Sequence, residues 1–348
     1  MKKKIGFEIQ ELHKKGSGPY VYVNNIINSK LSKEFDFKLI DYSNKLKGFS
    51  LKRVRDLKKR MVESELDLVN FGGLQLSGFH MALASKIAKK KSIVTVHGFS
   101  SDNINISFFK KSVLVVLDFF TLLLADRIIP ISDYVKNRYL LRIFKYKTNE
   151  VIYNLPTDKK EPLISHSFLK KSKLDILITT VSRVTVEKGI PSILKLAEHY
   201  KNNKYIKFII VGDGNYLKKA KYITEQKKLE SSVFFLGFKE NVYDVLDESD
   251  IFLLPTLHET LSIATLEACK AKLPIICSDT GGLKEIVQNN FNGFLVNKDS
   301  VSEFIIAIDK LLNPTLRENM GCNSLSVIND KFRQEFIFDK LSKVFNSI

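Results

Sequence analysis

Along most of this chain, apolar runs of strand length alternate with longer segments in which apolar residues recur at helical spacing. Candidate strands in the first half are Lys4–Ile9, Phe37–Tyr42, Leu66–Phe71, Ser92–His97, Arg127–Ile131 and Glu150–Tyr153. The second half offers Ile176–Val181, Lys207–Val211, Val233–Leu236, Ile251–Pro255, Pro274–Cys277 and Gly293–Val296. These runs are short and rich in Val and Ile, as expected of a parallel sheet covered on both faces. Strands alternating with helices predict βαβ units and a doubly wound α/β fold.

So many strands exceed one compact sheet, and the pattern predicts two such domains. The polar, proline-marked stretch Asp158-Lys159-Lys160-Glu161-Pro162 and the basic Lys170-Lys171-Ser172-Lys173 mark the break. The predicted organisation is an N-terminal domain over residues 1–157, a linker over 158–173 and a C-terminal domain over 174–331. A terminal helix follows over 332–348, with Phe336, Leu341, Val344 and Phe345 apolar.

Composition adds a constraint on partners. The 348 residues are 44% hydrophobic and 27% charged, a globular balance. The net charge of +17 is uneven: residues 1–150 hold 28 Lys and Arg against 14 Asp and Glu, so most of the excess lies in the first half. Its clusters are Lys52-Arg53-Val54-Arg55 with Lys58-Lys59-Arg60, then Lys89-Lys90-Lys91, then Lys110-Lys111. Such a field suits an anionic membrane surface or lipid phosphate, a nucleic acid, or solubility alone. No helix-turn-helix, zinc finger or aromatic RNA-binding motif accompanies it, so no nucleic-acid partner is expected. Three cysteines without a CxxC pair form neither a disulfide framework nor a zinc pattern and read as reduced thiols. The charged start Met1–Phe7 lacks the apolar region of a signal peptide and reads as a first strand. Val113–Ala125 is intensely apolar, is interrupted by Asp118, and is shorter than a membrane span. It is expected to be a buried core helix, with an interfacial helix beside Lys110 and Lys111 as the alternative.

The most informative chemistry lies in Pro255–Ala268. Glu259 follows the apolar run Ile251–Leu254, and Glu267 lies in a predicted helix, Ile263–Lys270. A loop that opens a helix presents free N–H groups and the positive end of the dipole, a seat for phosphate. Carboxylates flanking that seat would repel phosphate but can accept hydrogen bonds from sugar hydroxyls. The combination describes a nucleotide-sugar site. Arg183 and Lys188 sit in the loop after Ile176–Val181, where ligands bind in open α/β sheets, and two cations there suit a diphosphate. Gly212-Asp213-Gly214 reads either as a plain tight turn or as a short nucleotide-binding turn. Gly16-Ser17-Gly18-Pro19 reads as a flexible turn or as a backbone seat for phosphate. His97, at the end of a predicted strand, is either structural or a site residue. Gly281-Gly282 with Glu285 reads as a turn entering a helix.

With these residues assembled, Gly237 through Val296 resembles the C-terminal half of retaining GT-B glycosyltransferases of family 4, the glycosyl transferases group 1. The matching residues are Gly237-Phe238, Asp250, Pro255, Glu259, Ser262, Glu267-Ala268, Pro274-Ile275, Gly281-Gly282 with Glu285, and Asn292-Gly293. Ser182-Arg183 with Glu187-Lys188-Gly189 resembles that family's phosphate loop, and Gly16-Ser17-Gly18, His97-Gly98, Ile131-Ser132 and Ile152-Tyr153-Asn154 match looser landmarks.

The resemblance implies the GT-B fold, two Rossmann-like doubly wound domains facing a cleft, with the last helix returning to the first domain. It implies that Arg183 and Lys188 hold the diphosphate, Glu267 the ribose hydroxyls and Glu259 the donor sugar. Backbone N–H groups near Leu261, Ser262 and Ile263 would support the leaving phosphate. Phe238 and Lys239 would flank the base, Gly16 and Gly18 would approach the phosphates, and His97 the sugar and acceptor. Members of the family often carry Gly-Phe-Gly after the first glutamate, where this chain has Thr260-Leu261-Ser262.

The expected activity is transfer of a hexose-type sugar, with retention, from a nucleoside diphosphate to an acceptor hydroxyl. No metal or other cofactor is expected. A UDP-sugar is favoured over a GDP-sugar, and the basic first half fits a lipid-linked glycan at the inner membrane face, as in bacterial surface polysaccharide assembly. The alternatives are a nucleotide-sugar 2-epimerase and a catalytically inactive GT-B partner subunit.

Overall fold

Val- and Ile-rich runs become parallel strands in two separate sheets. The computed structural model describes residues 2–9, 17–42, 48–102, 107–159, 172 and 174–348. The chain divides into one unit of Met1–Leu155 with Gln334–Ile348 and a second of Pro156–Arg333.

In the first unit the chain runs through β1 (Lys4–Ile9), α1 (Gly18–Ile27), β2 (Asp36–Asp41), α2 (Leu51–Glu63) and β3 (Leu68–Gly72). It continues through α3 (Leu76–Ile87), β4 (Lys91–Val96), α4 (Phe108–Leu124), β5 (Arg127–Pro130), α5 (Asp133–Lys136) and α6 (Tyr139–Ile143). The strand order is β2-β1-β3-β4-β5, all parallel. Right-handed crossovers put α1 on one face, and α2, α3 and α4 side by side on the other, with α3 packed against both neighbours.

The second unit runs β6 (Ile176–Val181), α7 (Ile190–His199), β7 (Ile206–Val211), α8 (Leu217–Gln226), β8 (Val233–Gly237), α9 (Tyr243–Leu246) and β9 (Ile251–Leu254). Then come α10 (Ile263–Lys270), β10 (Ile275–Ser278), β11 (Gly293–Val296), α11 (Val301–Leu311) and α12 (Pro314–Lys331). Its parallel sheet has the order β11-β10-β9-β6-β7-β8. Ile178, Phe208, Ile251 and Ile276 from the strands pack with Leu194, Phe304 and Ile308 from the helices in one core.

The last helix, α13 (Gln334–Asn346), returns to the first unit. Its Phe345 meets Phe7 and Phe35 edge to face, with centroids 6.2 and 5.5 Å apart, in a core shared with Ile5, Leu68 and Ile93. Lys3 donates to the carbonyls of Phe345 and Ile348 at 2.7 and 2.8 Å, a cation at the negative end of the helix.

Two expectations need correction. Glu150–Tyr153 forms no strand. Asn149 and Ile152 each donate one backbone bond to β5, at 2.8 and 3.1 Å, and no ladder develops. Val151 and Ile152 are apolar because they fill the core, not because they pair. The segment expected to be a buried core helix is buried on one side only. Asp118, Thr121 and Leu122 are fully covered, whereas Phe109, Val113, Val116, Phe120 and Leu123 are exposed. With apolar residues on every side, periodicity could not choose the inner face. Asp118 chooses it, accepting bonds from the Ser100 N–H and hydroxyl, both at 2.8 Å. Burial pushes its carboxyl up to about 6 although those bonds pull the other way. No helix among the described residues is long and apolar enough to cross a membrane.

Candidate active site

The strand order of the second unit reverses between β6 and β9: successive strands run outward from β6 in one direction and from β9 in the other. The loops leaving such a switch point diverge and open a crevice at the carboxyl ends of the strands, the usual ligand site of an open α/β sheet. The loop after β6 carries Arg183 and Lys188, and the loop after β9 carries Glu259. The two are laced together, since Leu257 N–H and the Thr256 hydroxyl both donate to the Glu187 carbonyl, at 2.8 and 3.1 Å.

Lys188 Nζ donates to Glu259 Oε2 at 2.7 Å, with both side chains largely buried. The Thr260 N–H donates to the other carboxylate oxygen at 3.1 Å. Burial would raise the Glu259 pKa, but the Lys188 charge and these hydrogen bonds outweigh it and hold the carboxyl below its ordinary value. Glu259 is therefore an anion at neutral pH. Arg183 differs: its side chain is 66% exposed and only loosely paired with Glu187, 3.6 Å away, so it is free to swing toward an arriving anion.

Two glycines allow the loops to approach. A Cβ on Gly189, whose φ is +75°, would lie 1.8 Å from the Pro255 carbonyl oxygen; one on Gly281, whose φ is +55°, would lie 1.7 Å from that of Glu259. Gly281-Gly282 thus backs the Glu259 loop, and Gly282 N–H donates to the Glu259 carbonyl at 3.1 Å. Gly212-Asp213-Gly214 supports the Arg183 loop in the same way, through a 2.9 Å bond from Val184 N–H to the Asp213 carbonyl.

The helix after Glu259, α10, spans Ile263–Lys270 as the sequence predicts, with Ser262 as N-cap accepting from Thr265 N–H at 3.1 Å. The first-turn N–H groups have no acceptor within the helix. Leu261 and Ser262 are buried just ahead of them. Glu267, one turn further on, is 5% exposed and accepts from the Thr157 hydroxyl at 2.6 Å. Burial drives its pKa up to about 7, against the pull of Thr157 and Lys270. The Thr157 carbonyl is in turn held by the Tyr243 hydroxyl at 3.0 Å and Lys270 Nζ at 3.1 Å. Phe238, half exposed, and Lys239 follow the end of β8.

The first unit has its own switch point, between β1 and β3. Glu8, Asn70, Gly72, Pro19 and His97 line a small pocket there. The His97 ring packs edge to face on Tyr22 at 5.2 Å. Asn70 accepts from the Thr95 hydroxyl at 3.0 Å, and its buried amide nitrogen meets no acceptor among the described residues. Gly18 opens α1, while Gly16 lies outside the described residues.

The second unit therefore holds Arg183, Lys188, Phe238, Lys239, Glu259, Leu261, Ser262, Ile263 and Glu267, and the first holds Gly18 and His97. Sequence reasoning passed over Glu8 and Asn70, which were visible as polar residues inside apolar strand runs. It also passed over Thr157 and Tyr243, for which the sequence carries no signal. Among the described residues, no group of three or more His, Cys, Asp or Glu is arranged to hold a metal ion.

Residues 164–326 match the family model for Glycosyl transferases group 1. The match lies within the second unit and includes the β6 loop, the β9 loop and α10. Among curated proteins, the chain is similar to the Escherichia coli UDP-Gal:alpha-D-GlcNAc-diphosphoundecaprenol alpha-1,3-galactosyltransferase, 26% identical over 310 residues that span 85% of this chain and 79% of that one. Among solved structures it resembles Anabaena Alr3699/HepE in complex with UDP and glucose, with a TM-score of 0.80 and 19% identity over 99% of this chain and all of that one. Sucrose-phosphate synthase from Thermosynechococcus elongatus superposes with a TM-score of 0.84 at 16% identity, covering 99% of each chain. The fold is GT-B, two Rossmann-like units in one chain.

Proposed function

We propose that this protein is a retaining glycosyltransferase that moves a hexose-type sugar from a nucleoside diphosphate, UDP foremost, to an acceptor hydroxyl, without a metal ion. The observation that carries the reading is the Lys188–Glu259 pair at the switch point between β6 and β9, beside the start of α10. A departing diphosphate gains negative charge as the glycosidic bond breaks. Lys188, the exposed Arg183 and the first-turn N–H groups of α10 are the groups that would neutralise it. Glu259, held anionic, accepts hydrogen bonds from the sugar and favours the positive charge that develops at the anomeric carbon. Glu267 receives the ribose hydroxyls in place of Thr157. Phe238 and Lys239 border the base. By the family resemblance Gly18, with Gly16 outside the described residues, would serve the phosphates, and His97 the sugar and acceptor. Retention follows from attack on the face the diphosphate leaves, the course the family resemblance implies.

On the acceptor side, the printed name of the E. coli relative specifies a diphosphoundecaprenol-linked sugar. That name, together with the basic first half, supports a lipid-linked glycan acceptor in bacterial surface polysaccharide synthesis. It also supports work at the cytoplasmic face of an anionic membrane.

Calorimetric titration with UDP, GDP and ADP tests the donor reading. One nucleotide, UDP, is expected to bind. Arg183→Ala is expected to weaken it about tenfold or more with an unchanged Tm, because an exposed i,i+4 pair contributes little stability. In a transfer assay Glu259→Gln is expected to keep nucleotide affinity and lose about 100-fold in kcat. Failure of all three nucleotides to bind, or near-full activity of Glu259→Gln, overturns the reading.

A further inference from the structure

On α4 the exposed apolar residues Phe109, Val113, Val116, Phe120 and Leu123 recur at intervals of three and four. At 100° per residue they form a single stripe, about 21 Å long, from a rise of about 1.5 Å per residue. The opposite side of the helix is anchored through Asp118 and Leu122, so the stripe cannot turn inward. The only acidic residue of α4 is that buried Asp118, and its outer surface carries no negative charge.

Basic residues accompany the stripe, with the exposed Lys110 about 100° around the helix from Phe109 and the half-buried Lys111 on the far side. Lys110 and Lys111 lie in the first turn of α4, where a cation opposes the helix dipole and no acidic side chain offsets it. Their position works against the helix and calls for an anionic partner outside it. In the same layer, α2 exposes Lys52, Arg55, Lys58, Lys59 and Arg60. Beyond the far end of α4, the buried Phe144 packs on Phe119 at 5.3 Å and on Tyr146, 72% exposed, at 6.4 Å. An apolar stripe with basic flanks and an exposed tyrosine has the composition of a helix that lies in a membrane interface.

We propose that the outer surface of the α2–α3–α4 layer docks on an anionic phospholipid bilayer, with the α4 stripe entering the headgroup region and the cations of α2, with Lys110, on lipid phosphates. A second copy of the chain fits less well. Two-fold pairing of stripe on stripe would bring the same basic flanks together, and like charges desolvated at an interface repel. The inference deepens the acceptor side of the reading above, and rests on that reading only for what the bound enzyme would act upon.

Sedimentation of the full chain with vesicles tests it, using phosphatidylcholine alone or with about 30% phosphatidylglycerol. Binding is expected to the anionic vesicles only, and to fall when salt is raised from about 0.1 to 0.5 M. Val116→Ser/Phe120→Ser is expected to lower the partition coefficient about tenfold. Lys110→Glu/Lys111→Glu is expected to reduce binding and flatten its salt dependence, which gives a second variant should the first misfold. Nucleotide titration and Tm of each variant, expected to equal the wild type, separate this surface from the donor site; loss of nucleotide binding by the wild type would instead strike the donor reading. Wild-type protein that ignores anionic vesicles, or a folded stripe variant that binds them as well as wild type, overturns the proposal. A dimer in equilibrium sedimentation that the stripe variant dissolves, without vesicle binding, overturns it in favour of a second copy.

Discussion

Lys188 and Glu259 stand 71 positions apart in the chain and 2.7 Å apart in space. Each is nearly buried, and neither would tolerate that burial without the other. Glu267 is the opposite case, a buried carboxyl whose partners do not cancel the cost of its charge. Its pKa near 7 in the folded protein lies above the ordinary carboxylate value, so between about pH 4.5 and 7 the folded chain holds a proton that the unfolded chain has released. Stability from this group is therefore greatest below about pH 4.5 and is lost as pH rises through 7, by about 3 kcal/mol. Glu267→Gln removes that loss. Denaturant titration is expected to find the variant more stable than wild type by up to that amount at pH 8 and equal to it near pH 4.5. Nucleotide affinity of the wild type is expected to rise from pH 6 to 8 as the carboxylate forms, while that of Glu267→Gln stays flat. Equal stability at pH 8 would mean that the carboxyl is not destabilised by its burial.

At the scale of elements, the legible parts of the sequence were those with local causes. Helix α10 spans the predicted Ile263–Lys270, because Ser262 caps it and Lys272, at a φ of +60°, ends it. The strands were predicted to within two residues, except for Glu150–Tyr153, where apolar composition served the core without a ladder. Gly281-Gly282 reads in the sequence as a turn entering a helix that contributes little to the site, and in the structure it forms the backing of the Glu259 loop. Gly281→Ala would have to give up a positive φ and move the Glu259 carbonyl. We expect it to cost more than about 1 kcal/mol in chemical denaturation and to lower nucleotide-sugar turnover with little change in far-UV circular dichroism. Wild-type turnover in this variant would show that the loop tolerates displacement. The sequence did not show that Gly281 carries this weight, because the atom it avoids belongs to a residue 22 positions earlier.

For the whole molecule, the path of the chain matters more than any single loop. The terminal helix leaves the second unit after Arg333 and completes the core of the first. Phe345→Ala is expected to cost about 3 kcal/mol through the cavity it leaves. Hydrogen exchange is expected to quicken in β1 and α1, with the amides of β6 and β9 unchanged, since stability is regional in a chain of two cores. Uniform quickening in both units would show a single cooperative fold.

Hydrophobic periodicity and turn residues are local, and by themselves they determined the two doubly wound units, while the GT-B class and the candidate site residues came from the motif resemblance. Only the tertiary structure decided which charges meet. It paired Lys188 with Glu259, put Thr157 on Glu267, and turned one side of an all-apolar helix outward, because burial and electrostatic pairing depend on distances that the linear spacing of residues does not contain.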